Sequence, residues 1–329
     1  MKALLTGSEG FIGSWVADEL LSAGHSVRAL VQYNSLGNVG FLDHVADHPG
    51  LEIVFGDVRD ANQMLKVSQG VDAVLNLAAL IAIPYSYQAP ESYVETNIRG
   101  TLNLLNAAKE VGVSRFVQTS TSEVYGTAQV VPISEDHPLQ PQSPYAATKV
   151  ASDALAMSYF RSFDLPVTIL RPFNTFGPRQ SRRAIIPTLV AQFLAGSKVI
   201  QVGSLEPRRD FTFAKDTARA FLLAAEADAA IGETINLGVG FDISVADIIE
   251  DLSVIFGSVP TIESDAQRIR PSKSEVMQLL SDNTKAERLL DWTPNLRGRA
   301  GFQKGLELTV DWWRDQGIRS EFEAKKYVI

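Results

Sequence analysis

Through the first half of the chain, short aliphatic and β-branched runs alternate with longer stretches in which apolar positions recur every three or four residues. The runs Lys2–Leu5, Ser26–Val31, Glu52–Phe55, Ala73–Leu77, Arg115–Thr119 and Val167–Leu170 predict strands buried on both faces. Between them, Ile12–Leu21, Asn62–Val67, Tyr93–Val111 and Tyr145–Phe163 carry the spacing of amphipathic helices. Strand then helix, repeated, gives a parallel sheet with both faces covered: a Rossmann-like, doubly wound α/β fold.

After residue 172 the rhythm changes. Pro172, Gly177, Pro178 and Pro187 punctuate a loop-rich stretch. Helical spacing then returns near Thr188–Ala195, Ala214–Ala225, Ser244–Phe256 and Phe302–Asp315, with short strands near Val199–Val202 and Thr234–Leu237. Residues 1–172 are therefore expected to form the Rossmann-like domain. Residues 173–329 are expected to form a smaller, mostly helical substrate-binding part packed on it, with chain crossovers between the two.

Composition narrows the chemistry. The 329 residues, 45% of them hydrophobic, suffice for a large dry core. The absence of cysteine excludes a disulfide framework, a Cys-ligated metal and thiol catalysis. His25, His44, His48 and His137 form no metal-ligand pattern; His44 and His48 are one helical turn apart without a third ligand. A formal charge of −8 without a basic run argues against nucleic acid. No apolar run reaches the length of about 20 that crosses a bilayer. Residues 1–8 read as a strand entering a glycine turn rather than a signal peptide, so a cytoplasmic location is expected.

The first strand runs into Thr6-Gly7-Ser8-Glu9-Gly10-Phe11-Ile12-Gly13 and then a helix. Gly7, Gly10 and Gly13 permit a tight turn, close approach of backbone to a pyrophosphate, and a helix seated near the strand. The helix start at Phe11 and Ile12 offers free N–H groups and a positive dipole to that phosphate. This Gly-x-x-Gly-x-x-Gly spacing resembles the short-chain dehydrogenase/reductase family. The resemblance implies that Asp57 and Val58 lie by the adenine, that the backbone of Leu77, Ala78 and Ala79 lines the cofactor, and that Pro172 borders it. One cue is missing: no carboxylate stands between Glu19 and Asp43, where an acid usually holds the NAD ribose. Arg28 is the only Lys or Arg there, so NAD and NADP stay open.

Tyr145 and Lys149 fall one turn apart on one helix face. A nearby ammonium is expected to lower the tyrosine pKa so that it can take a proton from a sugar hydroxyl. Thr121-Ser122-Glu123-Val124-Tyr125-Gly126 follows the fifth strand at its carboxyl end, where doubly wound sheets place ligands. Thr121 would hydrogen-bond the substrate oxygen. Glu123 is the informative residue, because moving hydride alone needs no carboxylate, whereas removing a proton from carbon does.

With these motifs the chain resembles, over nearly its full length, the extended short-chain dehydrogenases/reductases acting on nucleotide sugars, and within them the 4,6-dehydratases. The Thr-Ser-Glu order is similar to GDP-mannose 4,6-dehydratase; the dTDP-glucose enzyme has Asp before the Glu. Simple 4-epimerases usually carry a non-acid at the position of Glu123. Residues 79–87, 138–145 and 171–180 resemble the dehydratases acting on nucleotide-linked N-acetylglucosamine in legionaminic-acid-type pathways. The inverting dehydratases of the pseudaminic-acid route lack the tyrosine of the Tyr–Lys pair.

The resemblance implies a lyase that uses tightly bound NAD or NADP, recycled at each turnover, to oxidise C4, eliminate water across C5 and C6, and return hydride to C6. It gives catalytic roles to Thr121, Ser122, Glu123, Tyr145 and Lys149, the last two also holding the cofactor. It places Pro84, Asn174, Arg209 and Arg270 on the nucleotide sugar, and Asn97 behind the lysine. A homodimer through a four-helix bundle is likewise implied. Trp312 and Trp313 read as packing residues. Three alternatives stay open: a 4-epimerase, a UDP-uronic acid decarboxylase (which can also carry Thr-Ser-Glu-Val-Tyr-Gly but whose helix motif usually runs Tyr-Asp-Glu-Gly-Lys), and a cofactor-binding regulatory protein.

Overall fold

The computed structural model describes residues 1–265, 268 and 274–316. Its centre is a seven-stranded parallel sheet in the order β3-β2-β1-β4-β5-β6-β10. These strands are β1 (Lys2–Thr6), β2 (Ser26–Gln32), β3 (Leu51–Gly56), β4 (Ala73–Asn76), β5 (Arg115–Thr119), β6 (Val167–Pro172) and β10 (Thr234–Leu237). The strand order reverses between β1 and β4, which opens a crevice beyond their carboxyl ends.

Two apolar layers hold the sheet. One face packs on α1 (Phe11–Ser22), α8 (Ala214–Glu226) and α10 (Thr284–Leu290), through Val16, Leu20, Phe221 and Leu290. The other packs on α2 (Ala61–Ser68), α5 (Gly100–Val111) and α6 (Pro144–Phe163), through Met64, Leu104, Leu105 and Ala156. Each of the larger of these side chains contributes roughly 1.5–3 kcal/mol by leaving water.

The expected helix Tyr93–Val111 is not uniform. Short α3 (Ile83–Gln88) and α4 (Pro90–Tyr93) lead into a π-helical turn, Val94–Arg99, before α5 begins. That wider turn carries buried Asn97. In α6 the hydroxyl of Ser143 accepts from the Ala146 N–H at 3.1 Å and Pro144 occupies the first turn, which fixes where the helix starts.

Beyond β6 the chain builds small sheets from β7 (Asn174–Phe176), β8 (Val199–Val202), β9 (Arg208–Phe213), β11 (Asp242–Ser244), β12 (Thr261–Ser264) and β13 (Gln278–Leu279). They pack with α7 (Ile185–Leu194), α9 (Val245–Phe256) and α11 (Gly298–Gln316) around Phe176, Phe211, Phe213 and Phe302. This part holds more strand than its pattern predicts, because β9 and β11 carry charged residues that mask alternation. Between these elements the chain crosses back to supply β10, α8 and α10 to the main sheet. Trp312 packs edge-on against Phe41 and Trp313 joins the apolar cluster. No helix among the described residues is long and apolar enough to cross a membrane.

Candidate active site

A cleft of about 1270 Å³ runs along the carboxyl ends of the sheet strands, between the two parts. One of its ends is made of backbone. Gly7 has φ +64°, and a Cβ there would lie 2.9 Å from the Ala78 nitrogen; a Cβ on Gly13 would lie 2.0 Å from the Gly7 carbonyl oxygen. Only glycine fits at either place. Helix α1 then starts at Phe11 with neither a side-chain cap nor an acid in its first turn, leaving its N–H groups for an anion. The Thr6 hydroxyl joins the strand ends: it donates to Asn76 Oδ1 at 2.8 Å and accepts from the Leu77 and Ala78 N–H groups at 3.1 and 3.0 Å. These residues fit a dinucleotide pyrophosphate lying over the turn.

All the residues expected to hold a dinucleotide line this cleft: Gly7, Gly10, Phe11, Ile12, Gly13, Asp57, Val58, Leu77, Ala78, Ala79 and Pro172. The Asp57 carboxylate is gripped by Arg59 Nε at 2.9 and 3.0 Å, and the guanidinium holds its pKa below the usual range.

Thr121, Ser122, Glu123, Tyr145 and Lys149 meet at the middle of the cleft. Thr121 caps the 3₁₀ turn Ser122–Tyr125, its hydroxyl accepting from the Glu123 N–H at 3.3 Å, so Glu123 rides on the turn and does not cap it. The Thr121 hydroxyl lies near enough to the Tyr145 phenol to oppose the rise in its pKa, and the Glu123 charge reaches the same phenol. Tyr145 and Lys149 are 8% and 4% exposed. Burial pushes the Tyr145 phenol well above its ordinary pKa, with Glu123 adding to the rise, and lowers Lys149 to about 8 against the opposing pull of Asp153. This corrects the depression expected from the neighbouring ammonium. In the protein alone both groups are enclosed, and desolvation drives each toward its neutral form.

A buried polar network holds the Glu123 turn from behind. Asp153 Oδ2 accepts from Ser120 Oγ at 2.6 Å and from Arg171 Nε and Nη2 at 3.2 and 3.1 Å. Arg171 Nη1 donates to the Tyr125 hydroxyl at 3.0 Å, which donates to Asn236 Oδ1 at 2.7 Å. Asn97 acts one step removed from the lysine. Its Nδ2 donates to Thr148 Oγ1 and to the Leu80 carbonyl, both at 3.0 Å, while its Oδ1 accepts from Leu80 N–H at 2.9 Å.

The far end is made of side chains. Pro84, Asn174 and Arg209 line it. Arg209 is nearly buried, donates to the Arg208 carbonyl at 3.0 Å and faces Glu275 at 3.5 Å. Arg270 lies outside the described residues. Arg183, Gln201 and Arg268 also line the cleft and were not singled out from sequence. They come from loops and a strand without a motif, so only the fold gathers them. Arg179, in a stretch noted only for resemblance, has φ +71°, pairs with Asp18 at 2.8 Å and lies over the Trp15 ring at 4.3 Å, fastening its loop to α1.

The sequence profile of the GDP-mannose 4,6 dehydratase family matches residues 4–305. The chain belongs to that family. It is 34% identical over 318 residues to the low-salt glycan biosynthesis protein Agl12 of Haloferax volcanii, covering 95% of this chain and 98% of that protein. Among solved structures it is similar to dTDP-glucose 4,6-dehydratase from Streptomyces venezuelae, crystallised with NAD: TM-score 0.85, 32% identity, 96% of this chain and 97% of that one. It is similar too to UDP-glucuronic acid 4-epimerase from Bacillus cereus, in complex with UDP-glucuronic acid and NAD: TM-score 0.88, 30% identity, 96% and 100%. Family membership thus spans dehydratases and epimerases that share one fold, and which reaction runs is a question for the site.

Proposed function

We propose that this family member is a nucleotide-sugar 4,6-dehydratase that binds NAD and acts on N-acetylglucosamine carried by GDP or UDP. The observation that carries the reading is Glu123, a carboxylate facing the cleft on a turn capped by Thr121, close enough to Tyr145 to act on its charge. An epimerase, which oxidises and re-reduces one carbon, has no use for it.

The residues divide the work. Tyr145 takes the proton of the sugar 4-hydroxyl while Thr121 hydrogen-bonds the same oxygen. Gly7, Gly10, Gly13 and the start of α1 would hold NAD⁺, which would supply a hydride acceptor and donor and a cationic ring to offset the burial that holds the Tyr145 proton. The resulting ketone acidifies C5–H, which Glu123 removes. Ser122 is buried and a poor acid, so Glu123 also protonates the departing C6 hydroxyl and, after exchange with solvent, returns a proton to C5 as hydride reaches C6. Lys149 holds its charge near Tyr145 and the ribose. At the far end Asn174, Arg209 and Arg270 hold the diphosphate, Arg through its planar fork. The N-acetylglucosamine preference is supported by the placement of Ala79–Pro84, Pro172–Thr175 and Arg179 along the cleft, since these belong to the stretches resembling enzymes of that specificity. We assign the chain to a homodimer through α5 and α6 on the same resemblance.

The test is mass spectrometry of the products from GDP- and UDP-N-acetylglucosamine in heavy water. Elimination removes water, about 18 Da, and adds about 1 Da as deuterium at C5, a net loss of about 17 Da, whereas epimerisation changes no mass. Unchanged mass with inverted C4 would establish the epimerase, and CO₂ released from a UDP-uronate the decarboxylase. In Glu123→Gln, C4 oxidation persists, seen as reduced-nicotinamide absorbance, while water loss stops. Full dehydration by that variant refutes the role of Glu123.

A further inference from the structure

The geometry points to Glu9 as the carboxylate that holds the adenosine ribose of the dinucleotide and selects NAD over its 2′-phosphorylated form. This rests on the dinucleotide reading of the cleft and names the residue that the sequence left missing. The usual acid stands at the end of the second strand, about 20 residues past the glycine turn. Here β2 ends at Gln32, without an acid. Glu9, inside the turn itself, reaches across: its Oε1 accepts from the Gln32 N–H at 2.9 Å. The side chain thus brings a carboxylate to the very strand end that lacks one, and both residues line the cleft.

The loop after β2 is shaped around this side chain. Phe41 N–H donates to the Glu9 carbonyl at 3.1 Å. Gly40 has φ +61°, and a Cβ there would lie 2.4 Å from the Glu9 carbonyl oxygen and 2.9 Å from the Glu9 Cβ. The two asparagines of that loop bond within it. Asn34 Nδ2 donates to the Asn38 carbonyl at 2.8 Å, its Oδ1 accepts from the Asn38 N–H at 3.0 Å, and Asn38 Oδ1 accepts from the Gly40 N–H at 2.5 Å.

Glu9 is not spent. Its Oε2 is enclosed yet takes no hydrogen bond among the described residues. A carboxylate has about four acceptor sites, and a buried oxygen without a donor is costly. The vicinal hydroxyls of a ribose supply two donors suited to it. A 2′-phosphate in the same place brings like charge and no proton. Arg59, the cationic side chain on the adenine side of the cleft, is already bound to Asp57 through two nitrogens.

The experiment loads purified protein in a mixture of equal NAD⁺ and NADP⁺, removes free nucleotide, and identifies what stays bound by mass spectrometry. Wild type carries NAD⁺ over NADP⁺ by about a hundredfold, and Glu9→Gln and Glu9→Ala each cut that ratio by about tenfold or more. Glu9→Gln keeps an oxygen for the Gln32 N–H, so it preserves the turn should the alanine variant fail to fold. A wild type that carries both nucleotides equally overturns the assignment. So does a variant whose total loading falls while its ratio stays fixed, the mark of a merely structural role. Wild type that carries neither nucleotide defeats the dinucleotide reading as well.

Discussion

At the dinucleotide end of the cleft the chain offers mainly backbone: Gly7, Gly10, Gly13 and the uncapped start of α1, within seven residues of one another along the chain. At the opposite end it offers long side chains, Arg183, Arg209 and Arg268, from segments that meet only in three dimensions. The first arrangement is rigid and indifferent to which side chains surround it; the second can be retuned one residue at a time. The two similar structures follow the same division: both hold NAD, while one is a dTDP-glucose dehydratase and the other a UDP-glucuronic acid epimerase.

The contrast can be broken at either end. Gly13→Ala sets a methyl group 2.0 Å from a backbone oxygen that cannot move aside. It is expected to cut dinucleotide loading by about a hundredfold or more, measured as nucleotide released per mole of protein. Arg209→Ala, by comparison, leaves loading unchanged and raises KM for the nucleotide sugar by about tenfold to a hundredfold, with a smaller change in kcat. Equal loss of cofactor in both variants would erase the distinction between the ends.

A smaller effect sharpens the middle of the cleft, where Lys149 sits enclosed with its pKa lowered to about 8. That value lies below the 10.5 of a free lysine, so between the two the unfolded chain binds more protons and stability rises with pH. Below about pH 8 the charged, buried form exerts its full cost. Lys149→Met should therefore abolish turnover yet stabilise the nucleotide-free protein at neutral pH by about 1–3 kcal/mol. The gain should fade between pH 8 and 10.5, read from denaturant midpoints. A loss of stability at pH 7 would show that the ammonium is held by more than its surroundings suggest.

What could be read from the sequence follows the same division. The strand–helix alternation, the glycine turn and the Tyr145–Lys149 spacing are local, so periodicity and motif disclose them. Asn97 and the π turn were harder, because a 3.6-residue pattern and a π turn look alike over six residues. The strand Arg208–Phe213 opens on three charged residues and hides its alternation, although Arg209 within it was visible by resemblance. The sign of the Tyr145 shift was not legible at all. Spacing places the ammonium near the phenol, but only the fold reveals how thoroughly both are enclosed. Glu9 looked like an incidental turn residue, since nothing local ties it to Gln32, 23 positions away.

The return of the chain to supply β10 has a further consequence. Asn236, on that strand, clasps the Tyr125 hydroxyl and so steadies the turn bearing Glu123. A fragment ending near residue 172 would forfeit an outer strand of its sheet and the anchor of its acid together. Inheritance of the two parts is thereby coupled: recombination between relatives at that point must exchange the strand and the clasp as one piece, or leave the turn that bears Glu123 without its tie to the sheet.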